Sequence, residues 1–294
     1  MSLTPVQSRK STTVRSRWEL GAVRAAFAIL DRVAPGLGSR WAIDLWCTLP
    51  GNAGRRRDDR PAPGAPSSLD VAGRSVAVEA WGAGDPVYLV HGWGGWRGQL
   101  GGFVTPLVEA GFRVMAFDAP GHGDSGPSGQ GPGRGNGVEF VDSLRAVTAE
   151  FGLPRGVIAH SFGCATTATA IGDGLRVGRL VCVSPSVDPM TNIRAVAQAF
   201  GIGPRVLDRL PKRIERLAGR PLSDFDPRTV TGRRPPTLVI HDRRDKEVPY
   251  AEGAAFGASW PTAELISTDG LGHQRILRNP GVIDRAVGFL AADR

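Results

Sequence analysis

Short apolar runs recur along this chain and alternate with segments that have helical periodicity. The runs cover residues 87–90, 114–117, 157–159, 180–183 and 238–240. Continuous apolar runs of this length are typical of strands buried on both faces, as in parallel sheets. Between them, positions such as Leu100, Phe103 and Leu107 repeat at the spacing of a helix face. The alternation predicts an α/β fold with a mostly parallel, doubly wound sheet.

Two further patterns predict additions to this sheet. Leu69 and Val71, a turn at 72–74, and an alternating stretch through Val78 predict an antiparallel hairpin at the sheet edge. Residues 188–234 interrupt the strand–helix alternation with two helical patterns, which we interpret as an inserted helical lid.

The N-terminal region predicts separate elements before the core. Leu20, Val23, Phe27 and Leu30 have helical spacing, and this amphipathic helix would dock either on the domain or on a membrane surface. The predicted organisation is a disordered basic tail (1–16), a helical extension (17–50), a linker (51–68), a hydrolase-like core (69–187 and 235–294) and the lid (188–234).

Composition narrows the possible classes of protein. The chain of 294 residues has a net charge of +8, but its arginines are spread over every segment, which favours a solvated surface over a nucleic-acid partner. Three cysteines without metal-binding spacing predict a reducing, cytoplasmic location. No apolar run is long enough to predict a membrane span. The oligomeric state stays open.

Ser161 has the surroundings of a nucleophile. It follows the apolar run at 157–159 and precedes a segment of small residues, with Ala159 two positions before it and Gly163 two positions after it. A sharp strand-to-helix turn needs small residues at both positions, so that the serine Oγ stands exposed above the sheet. Ala159 replaces the glycine of the G-x-S-x-G pattern.

A serine needs a base and an orienting carboxylate to become nucleophilic. His273, in a loop before the last predicted helix, is the best candidate for the base. The segment after the run at 238–240 offers two carboxylates, Asp242 and Asp245. A glycine-rich turn after residue 90 could supply backbone N–H donors to an oxyanion, and we assign this role to the amides of Trp93 and Phe162.

With these motifs the chain resembles the α/β-hydrolase superfamily over roughly residues 69–292. The matching motifs are His91-Gly92-Trp93-Gly94-Gly95, Asp118-Ala119-Pro120-Gly121-His122-Gly123-Asp124-Ser125, Ala159-His160-Ser161-Phe162-Gly163, His241-Asp242-Arg243-Arg244-Asp245-Lys246-Glu247-Val248-Pro249 and Gly272-His273. In the family the acid is the one before Val-Pro, which selects Asp245 over Asp242. The chain order Ser, Asp, His also matches the family.

The resemblance implies a serine hydrolase without metal or organic cofactor. The expected substrate is a small carboxylic ester with an apolar part, and the expected substrate contacts are His91, Trp93, Phe162 and Val248. The same residues could cleave a thioester, an amide, a lactone or a carbon–carbon bond. A non-catalytic ligand receptor on this fold is the alternative from another class.

The remaining motif residues receive structural interpretations. The other four histidines, at positions 91, 122, 160 and 241, lack metal-ligand spacing and are expected to pack and to form hydrogen bonds. The glycine-rich segment 120–137 lacks the Gly-Lys-Ser ending of a phosphate-binding loop, and we interpret it as a long flexible loop near the site.

Overall fold

The predicted sheet is present in the computed structural model, which describes residues 10–51 and 57–292, with side chains from residue 19. Its strands are β1 (Ala65–Val71), β2 (Arg74–Trp81), β3 (Asp85–Val90), β4 (Phe112–Phe117), β5 (Gly156–His160), β6 (Arg179–Val183), β7 (Thr237–Asp242) and β8 (Ala263–Thr268). Their spatial order is β1-β2-β4-β3-β5-β6-β7-β8.

The pairing directions confirm the predicted α/β architecture. β1 pairs with β2 and β2 with β4 in antiparallel fashion, whereas the other five pairings are parallel. Every residue of β5 and β7 is buried, because helices cover both faces of the sheet. The hairpin β1–β2 forms one edge, with β1 outermost.

Helices precede, connect and follow the strands. They are α1 (Lys10–Val33), α2 (Pro35–Cys47), α3 (Val104–Glu109), α4 (Gly137–Phe151), α5 (Phe162–Gly172), α6 (Pro189–Phe200), α7 (Pro204–Leu207), α8 (Leu210–Ala218), α9 (Tyr250–Ser259), α10 (Gly272–Arg275) and α11 (Pro280–Ala291). None of the helices in the described part of the chain is long and apolar enough to cross a membrane.

The chain divides into two compact units. The sheet unit comprises residues 47–189 and 220–294, and the helical unit comprises residues 1–46 and 190–219. The predicted N-terminal extension and most of the predicted lid thus belong to one unit, although about 140 residues of sequence separate them. Helical periodicity predicts each segment but not its partner, because the partner is chosen by tertiary packing.

The core of the sheet unit lies between the sheet and its helices. Val87 and Leu89 of β3 are fully buried, in one apolar cluster with Leu107 of α3 and with Ile283 and Leu290 of α11. Side chains on the other face of β3, such as Tyr88, are also fully buried. Because both faces of the sheet are buried, the ends of its strands are held in place. The loops that follow the strands are positioned accordingly.

Two segment boundaries differ from the sequence prediction. Helix α1 begins at Lys10, so residues 10–16 of the predicted disordered tail are helical; no Gly or Pro interrupts this stretch. Strand β1 begins at Ala65, inside the predicted linker, because backbone pairing with β2 continues through Pro66 on the edge strand. The rest of that tail (1–9) and residues 52–56 of the linker lie outside the described residues.

The glycine-rich segment 120–137 is held by several partners, which corrects the expectation of a flexible loop. The carboxylate of Glu139 accepts hydrogen bonds from Ser128 Oγ at 2.6 Å and from the N–H of Gly129 at 2.7 Å. The segment that leaves α2 also pairs with it: Leu49 donates its N–H to the oxygen of Gly133 at 2.8 Å. Backbone pairing of this kind depends on distant residues and leaves no local sequence pattern.

The chain between the helical extension and β1 also contacts the turn after β3. Pro50 lies beside Gly94, where an added Cβ would come within 2.8 Å of its ring. Trp96 donates from its indole nitrogen to the oxygen of Arg57 at 2.9 Å. Asp59 donates its N–H to the oxygen of Gly98 at the same distance. Residues 47–60, where described, therefore line the outside of the loop that follows β3.

Candidate active site

Four loops meet at one edge of the sheet. They follow β3, β5, β7 and β8, and they carry residues 91–96, Ser161, 243–249 and 269–273 respectively. The carboxyl ends of parallel strands lie at the same edge, which is where open α/β sheets bind their ligands. The sequence-predicted residues therefore reach this edge from four separate parts of the chain.

Ser161 occupies a strained turn between β5 and α5. Its backbone has φ 54° and ψ −122°, in a region that residues other than glycine rarely adopt. Such a conformation costs on the order of 1–3 kcal/mol and persists only where the surrounding packing enforces it. Here the N–H of Ser161 donates to the oxygen of Val183 on β6, and its oxygen accepts from the N–H of Ser186.

The neighbouring glycines explain how the turn fits. A Cβ on Gly163 would lie 2.5 Å from the oxygen of His91 and 2.7 Å from the oxygen of Val90. A Cβ on Gly92 would lie 2.9 Å from Cβ of Ser161. The serine turn and the loop after β3 are therefore in direct backbone contact, which only glycine at positions 92 and 163 permits.

Asp245 and His273 form a buried pair. The Nδ1 of His273 lies 2.7 Å from Oδ2 of Asp245, and their side chains are 4% and 0% exposed. A carboxylate only accepts at neutral pH, so Nδ1 carries the proton and Nε2 retains its lone pair. The other oxygen of Asp245 accepts from the N–H groups of Glu247 at 2.8 Å and Val248 at 2.9 Å.

The electrostatics keep Asp245 ionised. Burial alone would raise the pKa of its carboxyl, but hydrogen bonds from His241 and His273 outweigh burial and hold the pKa far below its ordinary value. His241 lies at the end of β7, with Nε2 3.4 Å from Oδ2 of Asp245 and 3.1 Å from the oxygen of Val248. The ionised carboxylate can therefore fix the ring orientation of His273.

His273 is also attached to the serine loop through His160. The Nε2 of His160 lies 3.1 Å from the main-chain oxygen of His273, and the two rings have centroids 4.7 Å apart. Burial is the main cause that lowers the pKa of His160 to about 3, and the adjacent His273 is the second. The ring of His160 is therefore neutral. Ser161, which directly follows His160 in the chain, is partly exposed.

Two backbone N–H groups beside Ser161 lack acceptors. Among the residues that the structure describes, none accepts a hydrogen bond from the N–H of Trp93 or from that of Phe162, the first residue of α5. The first amides of a helix have no partner within the helix, and they favour negative charge. These amides are the two that the sequence predicted as oxyanion donors.

Two histidines connect the loop after β3 to the loop after β4 through hydrogen bonds. His91 accepts from the N–H of Ala119 at Nε2, 3.1 Å away, and its Nδ1 lies 2.8 Å from the oxygen of Gly92. His122 accepts from the N–H of Gly94 at 3.1 Å. Both ring nitrogens of the fully buried His91 are thus occupied by backbone, so it supports the loop rather than offering the predicted substrate contact.

Asp242 ties together the loops that carry Asp245 and His273. Its Oδ2 accepts from Thr268 Oγ1 at 2.8 Å and from the N–H of Leu271 at 2.9 Å, while Oδ1 accepts from the N–H of Arg244 at 2.9 Å. The sequence identified Asp242 as a second carboxylate, and the structure gives it the role of a loop anchor.

An aromatic surface adjoins these residues. The partly exposed rings of Trp93 and Phe162 meet edge to face with centroids 5.8 Å apart. Phe162 also contacts Phe140 at 5.6 Å and Phe225 at 6.4 Å. Val248 is nearly buried and contributes backbone contacts to Asp245 and His241.

A buried ionic network next to the loop after β3 was not predicted from the sequence. Arg97 donates to Glu79 at 2.8 Å, to Asp124 at 2.7 Å and, through both its side chain and its N–H, to Asp118. Burial raises the pKa of Asp118 to about 6 even against the charge of Arg97. The only local signal is the position of Arg97 next to the glycine-rich turn; its partners come from β2 and from the loop after β4.

Comparison with family models finds one that covers about half of the chain. Residues 85–236 match the family model described as the alpha/beta hydrolase fold. A non-heme chloroperoxidase of Kitasatospora aureofaciens is 29% identical over 180 residues, which are 59% of this chain and 62% of that protein. The chain thus spans less than two thirds of the length of that relative.

Two other similar proteins extend the comparison. A 2-hydroxy-6-oxononadienedioate/2-hydroxy-6-oxononatrienedioate hydrolase of Cupriavidus pinatubonensis is 27% identical, over 65% of this chain and 82% of that protein. The crystal structure of a membrane phospholipase A has a TM-score of 0.61 and 16% identity, covering 95% of this chain and 100% of its own. At that identity the likeness concerns the fold alone.

Proposed function

Because the chain belongs to the α/β-hydrolase family, we propose that it is a serine hydrolase that cleaves a carboxylic ester through an acyl-enzyme intermediate. In this proposal Ser161 is the nucleophile, His273 is the general base and Asp245 orients the imidazole. The amides of Trp93 and Phe162 form the oxyanion hole.

The first half-reaction forms the acyl-enzyme. Ser161 Oγ attacks the carbonyl carbon of the ester as Nε2 of His273 takes its proton. The negative charge that develops on the carbonyl oxygen is stabilised by the N–H groups of Trp93 and Phe162, each worth about 3 kcal/mol in the transition state. The imidazolium then protonates the leaving alcohol, and the tetrahedral intermediate collapses.

The second half-reaction returns the enzyme to its starting state. His273 removes a proton from a water molecule, whose oxygen attacks the acyl carbon. The bond from that carbon to Ser161 Oγ then breaks, and Oγ takes the proton back from His273 as the acid is released. Asp245 stays ionised throughout, as its strongly lowered pKa requires, and it stabilises the imidazolium in both halves.

The aromatic surface supports an apolar group in the substrate. The rings of Trp93 and Phe162 belong to the same residues whose amides would hold the oxyanion, so a bound acyl or alcohol group would lie against them. Phe140 and Phe225 continue the apolar surface behind Phe162. We therefore expect esters with a medium-length or aromatic group to react faster than acetate esters.

One observation carries this proposal: the buried hydrogen bond between Nδ1 of His273 and Asp245, at 2.7 Å. It fixes the tautomer that leaves Nε2 basic, and His160, which hydrogen-bonds to the main chain of His273, directly precedes a serine held at positive φ. A histidine that only packs needs no buried carboxylate partner, and a serine that only packs needs no positive φ.

The test is labelling with a fluorophosphonate probe, combined with hydrolysis of nitrophenyl esters of increasing acyl length. Ser161→Ala and His273→Ala should abolish labelling and lower kcat by at least ~10⁴-fold. Ser184→Ala is a matched control, because Ser184 also has positive φ (48°) at a strand end but is fully buried. Absence of labelling in folded wild-type protein would exclude the hydrolase and leave a ligand receptor, which should retain binding in Ser161→Ala.

Cleavage of a carbon–carbon bond is the second candidate, favoured by the hydrolase of Cupriavidus pinatubonensis, which aligns over 82% of its length. A 2-hydroxy-6-oxo-dienoate would be the probe, and loss of its conjugated absorbance would report cleavage. Turnover of this compound at a kcat/KM above that of every nitrophenyl ester would select this reaction over ester cleavage.

A further inference from the structure

The net charge of the protein is confined to the helical unit. Residues 1–46 and 190–219 contain 13 Lys and Arg against five Asp and Glu, whereas the sheet unit contains 23 of each. The net charge of +8 is therefore that of the helical unit alone. The arginines are dispersed along the sequence, but the excess of basic over acidic residues lies in the helical unit.

Exposed apolar side chains lie in the same unit. Ile29, Val33 and Leu37 are 60%, 73% and 56% exposed, and they are spaced four residues apart across the end of α1 and the start of α2. A spacing of four places Ile29 and Val33 on one face of α1, and Leu37 follows in the first turn of α2, after the break at Ala34. Three aliphatic side chains with this exposure, so near one another in the chain, form an apolar patch that water solvates poorly.

Basic side chains lie beside Val33 and Leu37 of this patch. Arg205 donates to the main-chain oxygen of Arg32, the neighbour of Val33, at 3.4 Å. Arg213 donates to the oxygen of Gly36 at 3.3 Å and to Ser39 Oγ at 2.7 Å, on either side of Leu37.

Four arginines lie near the Leu37 end of the patch: Arg213 and Arg216 are on α8, Arg209 directly precedes it, and Arg213 contacts Ser39, the neighbour of Arg40. Burial and the charges of Arg40, Arg216 and Arg209 lower the pKa of Arg213. Within the described residues, no salt bridge neutralises any of the four. Helix α8 buries Leu210 and turns Arg216 to solvent. A cluster of like charges around aliphatic side chains is complementary to an anionic surface with an apolar interior.

We propose that Ile29, Val33 and Leu37, with the cluster Arg40, Arg209, Arg213 and Arg216, form a docking surface for anionic phospholipid bilayers. The three aliphatic side chains enter the boundary between headgroups and acyl chains, while the guanidinium groups contact lipid phosphates. The protein binds in the plane of the membrane surface without a spanning segment.

Two other occupants fit the surface less well. Nucleic acid would match the charge, but a single-strand binding surface adds exposed aromatic rings for base stacking, and the large exposed side chains of this patch are aliphatic. A second copy of the chain would bring together two units that each carry +8, and like charges oppose that contact.

The experiment measures co-sedimentation of the full chain with vesicles of phosphatidylcholine and with vesicles of phosphatidylglycerol and phosphatidylcholine in equal parts. Each basic residue near an anionic surface multiplies the partition coefficient by about fivefold. Arg40→Gln/Arg209→Gln/Arg216→Gln should therefore lower binding to the anionic vesicles by about a hundredfold. Val33→Ser/Leu37→Ser should lower it by about tenfold.

Matched variants in the sheet unit serve as controls. Leu153→Ser removes an equally exposed aliphatic side chain (67%), and Arg176→Gln/Arg233→Gln/Arg285→Gln removes three exposed charges. Neither should change vesicle binding, and the far-ultraviolet circular dichroism of all variants should match wild type. Equal losses in the sheet-unit and helical-unit variants would overturn the proposal, since binding would then follow net charge alone.

Three further outcomes would also overturn it. The first is no binding of wild-type protein to the anionic vesicles at low salt. The second is tighter binding to labelled duplex or single-stranded DNA, measured by fluorescence anisotropy, than to the anionic vesicles. The third is sedimentation as a dimer that Val33→Ser/Leu37→Ser dissociates. The experiment measures vesicle binding and not ester hydrolysis, so its result does not depend on the proposed reaction.

Discussion

The imidazole of His160 donates a hydrogen bond from Nε2 to the main-chain oxygen of His273, 3.1 Å away and 113 positions further along the chain. The bond couples the residue before Ser161 to the residue proposed as its base. Since the pKa of His160 is lowered to about 3, this donor keeps the same protonation state throughout the neutral range. His160 is thus a positioning residue for His273.

Replacing His160 should therefore impair the rate more than substrate binding. His160→Leu removes the donor and should lower kcat by about 10- to 100-fold, because a misplacement of the base on the order of 1 Å has that effect, with KM nearly unchanged. His160→Gln keeps an N–H donor and should recover part of kcat. Steady-state kinetics on a nitrophenyl ester measure both; equal kcat in the Leu and Gln variants would contradict the positioning role.

Gly163→Ala should separate the serine turn from the loop after β3. The new Cβ would meet the oxygens of His91 and Val90 at 2.5 and 2.7 Å, so one of the two backbones must move. We expect at least ~100-fold loss of kcat/KM, because both the nucleophile and the amide of Phe162 are displaced.

Gly288→Ala is the matched control for Gly163→Ala. Gly288 lies inside α11 with nothing within 4 Å of an added Cβ, so alanine should raise the free energy of unfolding by up to about 1 kcal/mol and leave activity unchanged. Full activity in Gly163→Ala would contradict the prediction, because the serine turn and the loop after β3 could then move apart without displacing the nucleophile.

Asp242→Asn should weaken the connection between the two loops that carry Asp245 and His273. One of its side-chain atoms becomes a donor, which cannot pair with both Thr268 Oγ1 and the N–H of Leu271. A buried donor left without a partner costs about 1–3 kcal/mol, and kcat should fall. Asp269→Asn, at an exposed aspartate paired with Arg244, is the control; equal effects of the two substitutions would disprove an anchoring role.

The stability of the protein should fall between neutral pH and pH 4, partly through His122. Burial lowers the pKa of His122 from 6.5 to about 4, so between these values the unfolded chain binds the proton more readily than the folded one. The stability that neutral His122 contributes is fully present above pH 6.5 and is lost as pH falls through about 4.

Urea unfolding at several pH values measures this dependence. His122→Gln keeps an acceptor for the N–H of Gly94 but does not titrate, so its free energy of unfolding should depend less steeply on pH between about 6.5 and 4. An identical slope in the variant and in wild type would mean that His122 does not titrate differently on folding.

The sequence predicts the sheet well because its signals are local. Continuous apolar runs, such as residues 238–240, mark strands buried on both faces, and the alternation after Ala72 marks the hairpin. The residues two positions before and two positions after Ser161 are small because the sharp turn has no room for larger side chains. The position of Ser161 at the end of a strand can therefore be predicted from its neighbours in the sequence. These features need no knowledge of distant contacts.

Features that depend on distant contacts could not be predicted in this way. Nothing near Arg97 in the sequence identifies Glu79 or Asp118 as its partners, and nothing near His160 identifies the oxygen of His273. The assignment of residues 190–219 to the same unit as α1 and α2 is also a product of packing rather than of helix propensity. The role of these helices as a lid stays a prediction.

The backbone contacts of the segment after α2 limit how this protein can be dissected. Its first strand begins at Ala65, which invites a shortened version starting there. Such a version would lose the acceptors that Cys47 and Arg57 offer to Gly135 and Trp96. Chimeras of this protein should therefore place their junction before Cys47. The fragment that contains the loop after β3 then also contains the residues that support this loop.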